Sequence, residues 1–439
     1  MDRPRRIMML SLPIIGGMIS QNVLNLVDTA MVGTLGDSAL AAVGIASFAA
    51  FMANSFITGL SSGVQAMSAR RLGEERVRET AVPLNGGLLL ALAMALPLSA
   101  ILFTLAPDLF PFLVEDQDVQ AVGIPYLQVR MLGIAAVGVN FVFRGYWNGV
   151  NLSKVYMRTL IVMHVVNVAL NYVLIFGAFG APELGATGAA IGTTVSLYVG
   201  SAYYIVQGFM LARENGFVQG LPDKNTIVTM LRLSIPSSLQ NLFFSAGMTT
   251  LFWIIGKVGT QELAASQVLI NLFLLGLLPG MAFGIAGASL VGQALGRKDP
   301  DDAHRWAWDV VKLATVLVGA LVSVPMALFP EVALGVFLHN EETLAIARPA
   351  MQLIALSLPA DIMGVIFMNA LVGAGDTRRV AVVSIVAQWA FALPLNYFFG
   401  VYMGFGMMGV WVMQTVYRTI TSGVFMLLWQ RGTWRDIKV

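Results

Sequence analysis

Residues Leu10–Gly33 read LSLPIIGGMISQNVLNLVDTAMVG. The run has the length and apolar content of a membrane-spanning helix, which needs about 20 residues. It also carries a proline near its start and an aspartate near its end. Its opening returns far down the chain: MLSLP at 9–13 matches RLSIP at 232–236. GTLGDSALAA at 33–42 matches GKVGTQELAA at 256–265, and RRLGEE at 70–75 matches QALGRK at 293–298. All three pairs share a displacement of 223 residues, which chance matching of apolar sequence does not give. The chain therefore reads as two halves, and Pro13 has a counterpart in Pro236, whereas Asp28 falls opposite Leu251. The kink is common to both halves; the acid belongs to the first alone.

The rest of the 439 residues follows the same pattern. The chain is 57% hydrophobic and 11% charged, with a mean hydropathy of +0.77, against roughly 25% charged residues in a soluble domain. Apolar runs place spans at 8–33, 39–67, 82–106, 121–146, 156–179, 186–212, 229–256, 262–294, 306–329, 345–373, 379–401 and 406–430. The fold class is an all-α membrane protein of twelve transmembrane helices in two six-helix lobes. An even number of spans per half gives both halves one orientation, related by a pseudo-twofold axis along the membrane normal. The lobes are expected at 1–213 and 228–439, joined by a linker at 214–227.

Basic residues alternate between connections: Arg3, Arg5 and Arg6, then Arg70, Arg71, Arg76 and Arg78, then Arg144, Lys154 and Arg158, and so on to Arg431, Arg435 and Lys438. The opposite loops, GTLGDS and APDLFPFLVEDQDVQ among them, are poor in basic charge, so both termini are expected to be cytoplasmic. With no cysteine, disulfides and thiolate chemistry are excluded, and His164, His304 and His339 form no cluster with ligand spacing. No soluble domain remains to hold a separate active site.

The polar residues inside the spans are the candidate site. An acid in a spanning helix costs about 2.5–3.5 kcal/mol on insertion scales and asks for a reason. Gln21, Asn25 and Asp28 lie at i, i+4 and i+7, on one helical face. His164, Asn167 and Asn171 make a second stripe in the fifth span, and Thr193, Thr194 and Ser196 contribute from the sixth. Asp361 is a second acid, near the middle of span ten, with Ser357 one turn before it. Asp309 and Lys312, at i and i+3, read as a local ion pair. Pro13 lacks a backbone donor and weakens its helix, so binding at Asp28 can be linked to bending there.

Taken in order, LSLPIIGG and VDTAMVG, GVQAMSARRLGEE, FRGYWNG, LNYVLIFG with GATGAAIGT, and LVGAGDTRR resemble the multidrug and toxic compound extrusion (MATE) family over essentially the whole chain. The resemblance implies a two-lobed, V-shaped antiporter in a bacterial inner membrane. Such a protein exports amphipathic organic cations in exchange for H+ or Na+. Asp28 matches the family's first-helix aspartate, and Pro13 the kink proline of the branch resembling the DNA-damage-inducible F proteins. Asn167, Asn171 and Thr193 match the cation-site positions of the N-lobe. Some members carry an aspartate where this chain has Asn171, so one ligand charge of a sodium site (Asp28, Asn167, Asn171, Thr193) is missing, which favours protons. Asp361 lies fifteen residues before Asp376, like the C-lobe acid of the norfloxacin-exporting branch.

The expected partners are small organic cations and the lipid bilayer, with no nucleic acid and no cofactor, and the expected state is a monomer. Rival readings are a sodium-coupled antiporter of the same family, a lipid-intermediate flippase of the same superfamily, and a non-transporting receptor. A membrane enzyme needs a clustered acid, base and nucleophile; none is legible, and the glycines of GLSSG suit close helix packing better than phosphate binding.

Overall fold

The computed structural model describes residues 2–335 and 341–439, so His339 lies outside the described residues. The first half holds α1 (Arg3–Gly33), α2 (Asp37–Thr58), α3 (Leu60–Gly73), α4 (Val82–Leu109), α5 (Gln117–Leu132), α6 (Ile134–Gly149), α7 (Ser153–Phe176) and α8 (Gly185–Leu211). The second holds α9 (Lys224–Val258), α10 (Thr260–Gly296), α11 (Pro300–Val318), α12 (Val324–Leu328), α13 (Pro330–Gly335), α14 (Glu341–Ala374), α15 (Thr377–Val386), α16 (Leu393–Tyr397) and α17 (Gly406–Arg431). Among the described residues ten stretches are long and apolar enough to cross a bilayer, and the bent pair α5–α6 makes an eleventh. The last helix, α17, has the length at 26 residues, but Gln414 and Arg418 interrupt its apolar character.

In lipid there is no water to satisfy the backbone, so helices are the default and every break needs an explanation. The fourth span, expected as one helix over 121–146, is two helices that meet at Gly133 with a bend of 46°. Side chains from neighbouring helices take up the carbonyls at the break. Ser99 donates to the Met131 carbonyl at 2.7 Å, Tyr198 to Leu132 at 2.7 Å and Thr194 to Val129 at 3.2 Å. Spans nine and eleven widen into π-type turns at Gly319–Ser323 and Ala387–Ala392. Pro325 and Pro394 follow within two residues, and a proline that cannot donate to the preceding turn leaves a carbonyl that a wider turn accommodates.

Packing relies on small residues, as it must where lipid is as apolar as leucine. On α2, Ala42, Ala46 and Ala50 are fully buried along one face. The two glycines of GLSSG seat α9 on either side of Pro236. A Cβ on Gly59 would lie 2.3 Å from Ser238 Oγ, and one on Gly63 would lie 2.4 Å from Ser234 Oγ.

The chain forms two compact units, Pro13–Ser238 and Met1–Leu12 with Leu239–Val439. This differs from a cut at the linker, because each half gives up the beginning of its first helix near the repeated proline. The segment 214–223 is packed rather than loose. Asn85 Nδ2 donates to the Gly216 carbonyl at 2.9 Å, Val218 N donates to Asn85 Oδ1 at 3.0 Å, and Phe217 is buried against Phe143. Asp223, outside the spans, accepts from Thr226 N at 3.2 Å and caps α9. The Thr226 hydroxyl that also bonds it, with help from the backbone amides, holds its carboxyl below the usual range. In the other unit Arg3 pairs with Asp302 and Asp309 and stacks over Trp306 at 4.2 Å, while Arg6 donates to Gln293 at 2.7 Å. Asp309 is therefore the partner of Arg3 rather than of Lys312. Helix packing supplied a guanidinium where local spacing had suggested an ammonium.

Candidate functional site

Within the unit Pro13–Ser238, α1, α7 and α8 bring Asp28, Asn167, Asn171, Thr193 and Ser196 into one hydrogen-bonded chain. Asn167 and Asn171 sit one turn apart on α7 and have no exposed surface at all. Two buried carboxamides are tolerable only if their polar atoms are paired, and the sequence provides the pairing. Asn171 Nδ2 donates to Asp28 Oδ1 at 2.8 Å and to Asn167 Oδ1 at 3.0 Å. Asn167 Nδ2 donates to Thr193 Oγ1 at 3.1 Å and reaches Ser196 Oγ at 3.5 Å. Thr193 in turn donates to the Ala189 carbonyl at 2.9 Å. Donation runs outward from Asn171 both ways, to the Asp28 carboxylate at one end and through Asn167 and Thr193 to the Ala189 carbonyl at the other.

One buried atom in it has no partner among the described residues. Asn171 Oδ1 is buried without a hydrogen bond because it lies against the backbone of Gly192, where an added Cβ would come within 2.1 Å. Gly192 is the second glycine of the GAAIGT stretch, and its missing side chain is what makes room for the Asn171 carboxamide between α7 and α8.

Gln21 and Asn25 form a second, more exposed group on α1. Gln21 Nε2 donates to Asn25 Oδ1 at 3.2 Å, and His164 Nε2 lies 3.2 Å from Gln21 Oε1. The stripe Gln21–Asn25–Asp28 is thus one face of α1 in contact with two levels of α7, His164 at one and Asn171 at the other. Thr194, which shares the sixth-span stripe in sequence, turns away to the Val129 carbonyl. Pro13 lies inside α1 at the boundary between the two compact units.

Asp361 belongs to the other unit and is no part of this chain. It is 4% exposed, with Arg418 Nε 3.4 Å from Oδ1 and Ser357 Oγ 3.4 Å from Oδ2. Arg418 itself lies over the Phe273 ring at 4.2 Å. This acid carries an internal counter-ion that its own helix does not disclose. Arg130, on the last turn of α5, has Nε and Nη1 buried without hydrogen-bond partners among the described residues. Sequence spacing misses Gly192 and Arg418 because each works across a helix interface rather than along one face. The available signal was that an arginine inside a span is itself an anomaly.

The donor set bears on the coupling ion. One carboxylate, two carboxamides and a hydroxyl are of the right type for a hard cation. Yet Asn167 Oδ1 and Thr193 Oγ1 each accept a proton from within the chain, and Asn171 Oδ1 faces Gly192. These oxygens face amide donors or the Gly192 backbone rather than a common centre.

Comparison with known proteins follows the same lines. The family model MatE matches the chain twice, over residues 13–173 and 236–398, beginning at the two repeated prolines. A probable multidrug resistance protein NorM of Rhizobium meliloti is 29% identical over 411 residues, covering 92% of this chain and 88% of that protein. One of the same description from Thermotoga maritima is 24% identical, covering 98% and 93%. Among solved structures, an outward-facing multidrug resistance MATE family transporter of the MOP superfamily superimposes with a TM-score of 0.90 at 21% identity, covering 100% of this chain and 98% of that one. A MATE protein in complex with MaL6 gives 0.89 at 22% identity, covering 98% and 96%.

Proposed function

Because the chain belongs to the MatE family, we propose that it is a multidrug efflux antiporter, exporting amphipathic organic cations in exchange for protons by alternating access. In this reading both termini are cytoplasmic, the protein acts as a monomer, and Asp28 is the coupling acid. The observation that carries it is the buried donor chain ending on Asp28, with its 2.8 Å bond from Asn171. A carboxyl group needs no coordination sphere to take a proton, whereas a sodium ion needs several oxygens converging on one point. Asn167 Oδ1 and Thr193 Oγ1 already accept hydrogen bonds from amide donors within the chain, which supports protons over sodium.

Asp361, neutralised by Arg418 at 3.4 Å, anchors its own unit in this reading. Pro13 is the hinge of α1. Its place on the same helix as Asp28 supports a position near the DNA-damage-inducible F branch, and Gln21, Asn25 and His164 form the more exposed lining that meets substrate.

The test is efflux of a fluorescent organic cation from proteoliposomes under separately imposed proton and sodium gradients, with native protein and Asp28→Asn side by side. Proton-driven export that Asp28→Asn abolishes is the expected result. Undiminished export by the variant removes Asp28 from coupling, and sodium-driven export by the native protein replaces H+ with Na+ in the same exchange.

A further inference from the structure

Where α15 begins and α17 ends, the chain gathers charges for which the exchange reading has no use. A cleft of about 360 Å³ opens between the two helices, lined by Arg378, Arg379, Val382, Val383 and Leu428. Arg379 pins its rim: the guanidinium donates to Thr433 just beyond α17 and pairs with Asp376 at 3.3 Å. Arg378 is exposed, and its guanidinium makes no hydrogen bond or ion pair among the described residues. Arg431 ends α17 one turn beyond Leu428, on the same helical face. The lining changes character with depth. At 1.5 Å per residue, Val382 and Val383 stand about 6 Å along α15 from the two arginines, and Leu428 about 4.5 Å along α17 from Arg431. Two helices of opposite direction thus present the same order, a guanidinium at the membrane surface and a branched apolar side chain below it.

We propose that this cleft holds an anionic phospholipid, its phosphate against Arg378 and the upper part of one acyl chain against Val382, Val383 and Leu428. The proposal goes beyond the exchange reading and does not depend on it. Asp376 offsets Arg379, so Arg378 gives the lining a net positive charge, which repels an organic cation and attracts a phosphate. Inorganic phosphate would answer the guanidinium and leave three apolar side chains uncovered. A neutral lipid would cover those side chains and leave the guanidinium without an anion. An anionic phospholipid meets both, as lipid headgroups do in basic pockets between spanning helices. The volume lies near the lower end of the roughly 300–1,000 Å³ of small-molecule sites. That suits a phosphate and the first methylenes, with the rest of the lipid continuing into the bilayer. So placed, the lipid bridges α15 and α17 beside the bond from Arg379 to Thr433.

The experiment titrates the purified protein in detergent with dioleoylphosphatidylglycerol, and separately with dioleoylphosphatidylcholine, and reads the first bound lipid by native mass spectrometry. Four chains are compared: native, Arg378→Gln, Val382→Trp, which fills the cleft and keeps every charge, and Arg158→Gln, which removes an exposed basic residue at the start of α7. The native protein is expected to bind phosphatidylglycerol at least fivefold more tightly than phosphatidylcholine. Arg378→Gln is expected to lose about fivefold in affinity for phosphatidylglycerol, the worth of one arginine at an anionic surface. Val382→Trp should lose as much or more, and Arg158→Gln should bind as the native protein does. Equal affinity for the two lipids overturns the proposal. Equal losses in Arg378→Gln and Arg158→Gln overturn it in favour of a general attraction between basic residues and acidic lipid. Native affinity in Val382→Trp, with inorganic phosphate displacing the lipid, overturns it in favour of a site for the phosphate alone. Because Val382 is exposed, its replacement spares the core, and it decides the question even if Arg378→Gln fails to fold.

Discussion

Replacing Gly192 by alanine tests the site without changing any of its polar side chains. The new Cβ would stand 2.1 Å from Asn171 Oδ1 and 3.2 Å from Asn171 Cγ. A carbon–oxygen contact settles at roughly 3.3 Å or more, so the carboxamide must retreat by about 1 Å. Its Nδ2 now bonds Asp28 at 2.8 Å and Asn167 at 3.0 Å. A shift of that size stretches at least one of them towards ~4 Å, where no hydrogen bond remains. Overpacking costs about 1–3 kcal/mol, and losing a hydrogen bond to a charged acceptor costs about 1.5–3 kcal/mol more. The second figure alone corresponds to roughly a tenfold to hundredfold change in the equilibrium at Asp28. We expect Gly192→Ala to lower the unfolding midpoint measured in detergent and to reduce proton-driven efflux by at least tenfold. Combined with Asn171→Ala, which removes the obstructed group, the two costs should fall well short of additive. A Gly192→Ala protein with native efflux and native thermal stability would refute the packing argument, and so would strict additivity in the double variant.

Two further outcomes follow from the rest of the chain. Asp361→Asn leaves Arg418 buried without its counter-ion and should cost about 3–5 kcal/mol of stability, much of it recovered in Asp361→Asn combined with Arg418→Gln; an unchanged unfolding midpoint in the single variant would show that the pair is not structural. Pro13→Ala restores a backbone donor to α1 and should slow turnover while leaving substrate affinity within about twofold, which initial efflux rates and equilibrium binding separate; equal rates would remove Pro13 from the conformational change.

Much of this architecture could be read from residues alone, because in a membrane the apolar run and the helix are nearly the same statement. The polar stripes of spans one, five and six were also legible, since a period of 3.6 places Asp28, Asn167 and Asn171 on facing surfaces. What was illegible depends on which helix lies next to which. The bend at Gly133 gave no sign, because glycine is common in spans and the hydroxyls that satisfy the break come from Ser99, Thr194 and Tyr198, far away in sequence. The pairing of Asp361 with Arg418 joins α14 to α17, and no spacing rule within one helix reaches that far. Asp309 went to Arg3 instead of Lys312 for the same reason. Gly192 became meaningful only when Asn171 was found against it.

The exchange of helix beginnings also sets an order of assembly. Everything in the unit Pro13–Ser238 has been synthesised once residue 238 is made. The twelve residues before it wait far longer. Arg3 finds its partners in Asp302 and Asp309, 299 and 306 positions later, which at 5–20 residues per second is a delay of roughly 15–60 s. The earliest part of the chain to be made is thus among the last to be seated, and the second unit closes around a strand of sequence that predates it. A polypeptide cut at the linker and expressed as two fragments would accordingly yield a first fragment bearing an unseated end, and a second fragment that can complete its core only by capturing that end from its neighbour.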